Sequence, residues 1–431
     1  MAVEHGRCFR EPCASVKRRA QAVQRSTHNE LTTASPQKPV FRSAEALKAK
    51  SSDTLRDQFR DEEQMRAVQS KYFGGLTGLR GLGAIWVMSF HASVGASQIV
   101  IIDHGYLAVD LFFILSGFIL SHAHRDYAFT GTAYATFIRD RVARLFPLHW
   151  AGLALTAAVL ALIPAVQQGM PNRFGVEQLG LNLLLMQNWL YAGPTSWNPP
   201  AWSLSTEWLV SLGFPLFLWS ARRFHQRWLT LAACAGCIGA YGLFVIATHN
   251  PTLDLPGHAG IVRTICEFMA GCLLYQLYRQ QVRVPTVGLL AILALFAVGF
   301  SAPSRGLFAV MAFPLVVLMT AQGSVLSRLF AWRPIAFLGE ISFSIYVLHW
   351  IVLQAFDYTA IGTLRDGAWW PAFVVLYLGL VIGLSTISYR AVERPSRQWI
   401  KRFRLTGGPA VDPAAVPATV SPPRSRAVRQ G

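Results

Sequence analysis

Apolar runs close to 20 residues long recur between about residues 81 and 390. At 1.5 Å per residue, a helix of that length matches the ~30 Å hydrocarbon core of a bilayer. Ten candidate spans are read, at roughly 81–101, 106–122, 147–166, 202–220, 228–247, 261–279, 285–301, 305–321, 336–356 and 369–390. An eleventh stretch, 175–191, carries Glu177, Gln178, Asn182, Gln187 and Asn188, a heavy polar load for lipid. It is read as an interfacial or re-entrant helix. The expected fold is an all-α polytopic membrane protein, with about ten transmembrane helices plus that one. A chain of 431 residues would otherwise suggest two or three soluble domains. With 53% hydrophobic and only 14% charged residues, gathered in blocks, soluble enzyme classes are excluded for the whole chain.

The charge pattern orients the spans. The formal net charge is +17, and residues 1–80 hold 15 Lys/Arg against 9 Asp/Glu. Lys and Arg beside membrane spans gather on the cytoplasmic side, so membrane lipid is the expected neighbour and nucleic acid is not. With ten spans and the N-terminus inside, eleven arginines fall in inner loops. Only Arg173, Arg305 and Arg365 fall in outer ones. Counting 175–191 as a span would spoil that bias. Both termini are therefore expected in the cytoplasm. Residues 1–71 read as a polar, mostly disordered segment with no signal peptide, and 403–431 as a disordered basic tail. None of the six Cys lies in an expected outer loop, so no disulfide framework is read. Cys234 and Cys237, spaced C-x-x-C inside an apolar run, read as small packing residues.

Ionisable groups inside spans are costly and are functional candidates by default. His91 lies ten residues into the first span, and Arg80 eleven positions earlier at the cytoplasmic edge. Three helical turns separate them, so they share a face about 16 Å apart. The plainer alternatives are a hydrogen-bonded packing histidine and a positive-inside anchor. Asp110 opens the second span, and Ser116 and Gly117 further along allow close helix approach. Arg141 and Arg144 share a face leading into the third span, and paired guanidinium groups suit a phosphate-rich ligand. Glu207 follows Trp202 and Ser203 by about one turn. Asp110 and Glu207 are therefore expected at similar depth on the outer side. Arg263 and Glu267 read as a structural pair, and His349 as a second mid-span histidine. No metal-ligand set is read.

Together these segments resemble the membrane-bound acyltransferase 3 family across about residues 72–402. The matching pieces are Arg80-x10-His91, Val109-Asp110-Leu-Phe-Phe with Ser116-Gly117-Phe118, and Arg141-x-x-Arg144. They continue with Trp202-Ser203-Leu to Glu207, Leu338-Gly-Glu-Ile-Ser-Phe-Ser-Ile-Tyr346 before His349, and Val392-Glu393-Arg-Pro395. The resemblance implies transfer of an acyl group, usually acetyl from acetyl-CoA, to a hydroxyl of an extracytoplasmic sugar, glycan or lipid-linked saccharide. It also implies a bacterial inner membrane. Acyl-CoA would be a co-substrate, with no permanently bound cofactor. Arg80, Arg141 and Arg144 would hold the donor, with His91, Asp110 and Glu207 as catalytic candidates. Ser116, Trp202, Ser203 and His349 are possible additions. His91 can serve as general base or carry the acyl group covalently. The rival reading is a transporter or flippase for a glycan or lipid-linked substrate. It leaves the division between inner arginines, a mid-depth histidine and outer acids unexplained.

Overall fold

The computed structural model describes residues 74–93, 99–190, 193, 195–249, 253, 257–365 and 369–403. The expected polar segment 1–71 and nearly all of the expected tail lie outside these residues. Among the described residues every regular element is helical.

Helix α1 covers 74–93. It is followed by α2 (Ala108–Ala123), α3 (Gly131–Leu162), α4 (Val176–Leu183) and α5 (Gln187–Leu190). Next come α6 (Trp202–Leu212), α7 (Phe214–Arg222), α8 (Arg227–Ala247) and α9 (His258–Arg279). The chain continues through α10 (Gly288–Gly299), α11 (Gly306–Ala321), α12 (Arg333–Glu340) and α13 (Ser342–Asp357). It closes with α14 (Trp370–Ser388), a π-helical turn (Tyr389–Glu393) and α15 (Arg394–Arg402).

Among the described residues five helical segments are long and apolar enough to cross a membrane, and six if α12 and α13, bent by 69°, count as one. Two more, α10 and α11, are apolar but shorter. Length and composition thus support five or six of the ten expected crossings. The shortfall has local causes. The 202–220 stretch is broken at Gly213, and Pro215 follows as a helix-starting residue. The 285–301 stretch forms only 12 helical residues. The 175–191 stretch forms α4 and α5, neither long enough to cross. Its amide groups donate inside the bundle: Asn182 Nδ2 to Gln178 O at 2.8 Å and Ser196 Oγ at 3.0 Å, Gln187 Nε2 to Ala201 O at 3.1 Å, and Asn188 Nδ2 to Gly257 O at 2.6 Å. Leu216, Leu243, Leu290, Leu293, Val375 and Ile387 stand exposed, the outward apolar surface expected of helices in lipid.

Glycine sets two helix contacts. A Cβ at Gly117 on α2 would strike the Phe268 carbonyl of α9, and one at Gly271 would strike the Ile114 carbonyl of α2. The two backbones therefore touch, which larger residues would forbid. In the same way Gly81 on α1 lies against the backbone of Leu338–Gly339, and Gly339 against Thr77. That second contact brings Arg80 to the α12–α13 bend. Cys234 and Cys237 are free on α8, and Cys234 Sγ sits 3.6 Å from Ala270 O.

Candidate active site

Two cavities lie end to end in the bundle. The smaller, about 140 Å³, is lined by Arg80, Arg141 and Arg144, by Ser116, Ser203 and Glu207, and by apolar walls that include Phe112, Phe113 and Phe343. Each guanidinium is fixed by protein groups. Arg80 donates from Nε to Ser342 Oγ at 2.9 Å and from Nη2 to Gly339 O at 2.8 Å. Arg141 pairs with Glu207 at 2.5 Å and donates to Ser211 Oγ at 3.2 Å. Arg144 pairs with Glu393 and lies over the Phe343 ring, 4.8 Å from its centroid. A guanidinium has five N–H donors, so each retains donors for a ligand. Three arginines against two carboxylates, Glu207 in the lining and Glu393 behind Arg144, leave a net positive charge beside a greasy interior.

The larger cavity, about 490 Å³, is lined by His91, Arg173, Trp202, Trp350, Asp357 and Arg365, among others. His91 stacks on His349 (5.2 Å between ring centroids, 27° between planes) and meets Trp350 edge-on at 5.0 Å. His349 is fully buried behind it, with Nδ1 near the Ile345 and Tyr346 carbonyls. Arg365 closes the end of α1, donating to the carbonyls of His91 and Ala92 at 3.0 and 3.1 Å. The histidine is thereby held in place from its own backbone.

Val109 and Tyr346 line both cavities and form the partition between them. The Tyr346 hydroxyl lies 2.6 Å from Ser203 Oγ and donates to Pro200 O at 2.9 Å. Ser203 faces the arginine cavity and Pro200 the histidine cavity, so this latch straddles the wall.

Arg80 and His91 thus lie on one helix and face adjoining cavities, as their spacing predicts. Two expected placements need correction. The sequence expectation sets Glu207 at the depth of Asp110 on the outer side; it lies instead among the arginines, accepting also from Ser116 Oγ at 3.1 Å. The cause is that Ser196, Trp197, Asn198 and Pro199–Ala201 are buried, so α6 starts inside the bundle and one further turn carries Glu207 deeper. Asp110 was expected to open towards the acceptor; it is fully buried and lines neither cavity. Arg263 grips it with both Nε (3.0 Å) and Nη2, donates to Tyr106 O at 3.3 Å, and stands 5.6 Å from the Trp202 ring centroid. Glu267, also fully buried, lies 4.0 Å from Arg263. Arg263 and Glu267 form the expected pair, with Asp110 as its third member.

Two residues gain a place that sequence reasoning had not given them. Tyr346 is the partition. Glu393 is 1% exposed, holds Arg144, accepts from Ser344 Oγ at 3.0 Å and has Arg397 at 3.7 Å. A signal existed for each. Tyr346 falls one turn after Ser342 on the same face, and Glu393 is the acid that directly follows the last apolar run.

Comparison with known proteins identifies the family. A family model described as an acyltransferase domain (Acyl_transf_3) matches residues 73–390. The chain is 28% identical over 381 residues to acyltransferase MdmB of Streptomyces mycarofaciens, covering 79% of this chain and 95% of that protein. It is 25% identical over 342 residues to the exopolysaccharide production protein ExoZ of Rhizobium meliloti (strain 1021), covering 74% of this chain and 98% of that one. No solved structure matches the chain. The family model spans α1 to α14 and every residue lining both cavities, and the chain belongs to the membrane-bound acyltransferase 3 family and is an acyltransferase.

Proposed function

We propose that the protein moves an acyl group, acetyl in the first instance, from cytoplasmic acyl-CoA to a hydroxyl of an extracytoplasmic sugar or glycan. The observation that carries this reading is the pair of adjoining cavities, one with three arginines and the other with His91, separated by a wall one side chain thick. The phosphates of coenzyme A dock at Arg80, Arg141 and Arg144 on the inner side, where the loop charges put those residues. The pantetheine arm runs along Phe112, Phe113 and Phe343 and brings the thioester to Tyr346. The acceptor enters the larger cavity from the other face and lays its hydroxyl on His91. The hydroxyl oxygen bonds to the thioester carbonyl carbon and the carbon–sulfur bond breaks. His91 takes the hydroxyl proton and returns it to the departing thiolate. Asp110 serves this site through Arg263 as scaffold. Glu207 and Glu393 aim the arginines. The protein works in the bacterial inner membrane with both termini in the cytoplasm.

The naming of ExoZ for exopolysaccharide production supports a polysaccharide acceptor. Mass spectrometry of surface glycans from cells with and without the protein tests the reading. A mass decrement of one acyl group in the deletion strain is expected, restored by the wild-type chain and not by His91→Ala. Identical glycan acylation in both strains would sink it.

A further inference from the structure

Positive charge is scarce on the proposed outer face. Of the three arginines read in outer loops, Arg305 donates to Ser301 Oγ at 2.9 Å away from either cavity. The other two, Arg173 and Arg365, both converge on the cavity that holds His91. Their situations differ. Arg365 is held by Asp357, with Nη1 at 3.0 and 3.1 Å from its two oxygens, and by the carbonyls at the end of α1. That pair cancels. The Arg173 guanidinium makes no hydrogen bond or ion pair among the described residues, although its backbone is anchored, its carbonyl accepting from Trp197 N at 3.0 Å. Trp197 adopts a left-handed conformation (φ 57°) to make that turn, a geometry disfavoured for a bulky residue and retained where surrounding structure enforces it. Among the described residues the cavity therefore presents one uncompensated cation, Arg173, on a fixed mount in the same lining as the histidine. Aromatic faces, Trp202 and Trp350, complete it.

We propose that the acceptor of this acyltransferase is an anionic saccharide, and that Arg173 binds its carboxylate or phosphate while His91 receives the hydroxyl. A sugar ring offers C–H faces to the indoles, and its anionic group supplies the charge that Arg173 lacks. Arginine suits either anion, because its planar fork matches two oxygens at once. The inference rests on the acyl-transfer reading for the word acceptor, but the anion site itself does not depend on it.

The test is saturation-transfer NMR titration of the purified full-length protein in nanodiscs with three probes: methyl glucoside, methyl glucuronide and glucose 1-phosphate. One or both charged sugars should bind about tenfold or more tightly than the neutral one, the scale of a single charge-assisted contact. Arg173→Gln should remove that preference, and Arg305→Gln should leave it intact. Because the Arg173 side chain bonds to no other described residue, its loss should not disturb folding. Preference for the glucuronide alone identifies a carboxylate, and for the phosphate alone a phosphate. Equal binding of all three, no binding of either charged sugar, or an equal loss in Arg305→Gln would overturn the proposal. Unchanged glycan acylation in a deletion strain, with the Arg173-dependent preference intact, would sink the acyl-transfer reading and leave the anion site standing.

Discussion

Replacing Tyr346 with Phe keeps the ring that separates the two cavities and removes the hydroxyl that latches it. The hydroxyl's contacts among the described residues go with it, to Ser203 Oγ at 2.6 Å and to Pro200 O at 2.9 Å. A neutral hydrogen bond contributes a net ~0.5–1.5 kcal/mol, with more lost where a buried group is left unsatisfied. Here nothing is orphaned, since Ser203 Oγ also donates to Pro200 O at 3.2 Å. The latch is therefore worth about 1–2 kcal/mol, near the lower part of the range for two bonds. An open partition becomes roughly 5- to 30-fold more populated when it is lost. Tyr346→Ala removes the wall itself. Water from the larger cavity then reaches the thioester without an acceptor. The assay is release of free acetate from radiolabelled acetyl-CoA by purified protein with no acceptor present. Tyr346→Phe should raise this side reaction about 5- to 30-fold, and Tyr346→Ala at least as much. Correctly folded Tyr346→Ala protein that hydrolyses no faster than wild type would refute the partition argument.

His91→Ala, →Asn and →Gln should each reduce transfer by about 10²–10⁴-fold at normal membrane levels, and His349→Ala should cost less, as judged by initial rates; acyl label retained on wild type and lost in His91→Ala would favour a covalent intermediate. Arg141→Ala and Arg144→Ala should raise the KM for the acyl donor roughly tenfold or more while leaving the acceptor KM unchanged, with Lys recovering only part. Arg263→Met leaves two buried carboxylates without their cation and should cost about 3–5 kcal/mol, seen as loss of folded protein; adding Asp110→Leu should recover much of it. If the recovered double variant still transfers acyl groups, Asp110 is scaffold; inactivity in a well-folded protein would return it to the chemistry. In a cysteine-free background, Asn172→Cys should label with an impermeant thiol reagent from outside whole cells and Gln226→Cys should not, and the reverse pattern would overturn the orientation.

Local periodicity alone makes part of this site readable. Arg80 and His91 needed only the 3.6-residue turn, and Arg141 and Arg144 only a three-residue step. Partners across the bundle were hidden. Nothing near Asp110 announces that its counter-charge is Arg263, 153 positions later. The depth of Glu207 was misjudged because hydropathy marks where an apolar run begins, not how far inside the bundle its first residue lies. Asn198 and the two prolines look like surface loop, yet Asn198 Nδ2 donates to Val347 O at 2.9 Å in the interior. The number of crossings suffered similarly, since a hydropathy window reads α6 and α7 as one segment across the Gly213 break.

The wide turn at Tyr389–Glu393 has a consequence for how this chain can vary. A π-helical turn holds one residue more than the α-helical turn it replaces. The extra residue offsets the angular register of everything after it by about 100°. Here that offset aims Glu393 at Arg144 and Ser344, and it sets the face of α15 that meets α3, where Lys401 reaches Asp140 at 3.6 Å and Arg139 donates to Phe403 O at 2.9 Å. The segment can tolerate many changes of side chain but not of length. Losing one residue would turn the carboxylate away from its arginine and swing the whole basic helix around its axis. The spacing between the last apolar run and the Glu393-Arg394-Pro395 triplet is therefore a geometric constant of the arginine cavity, as binding as the identity of the glutamate.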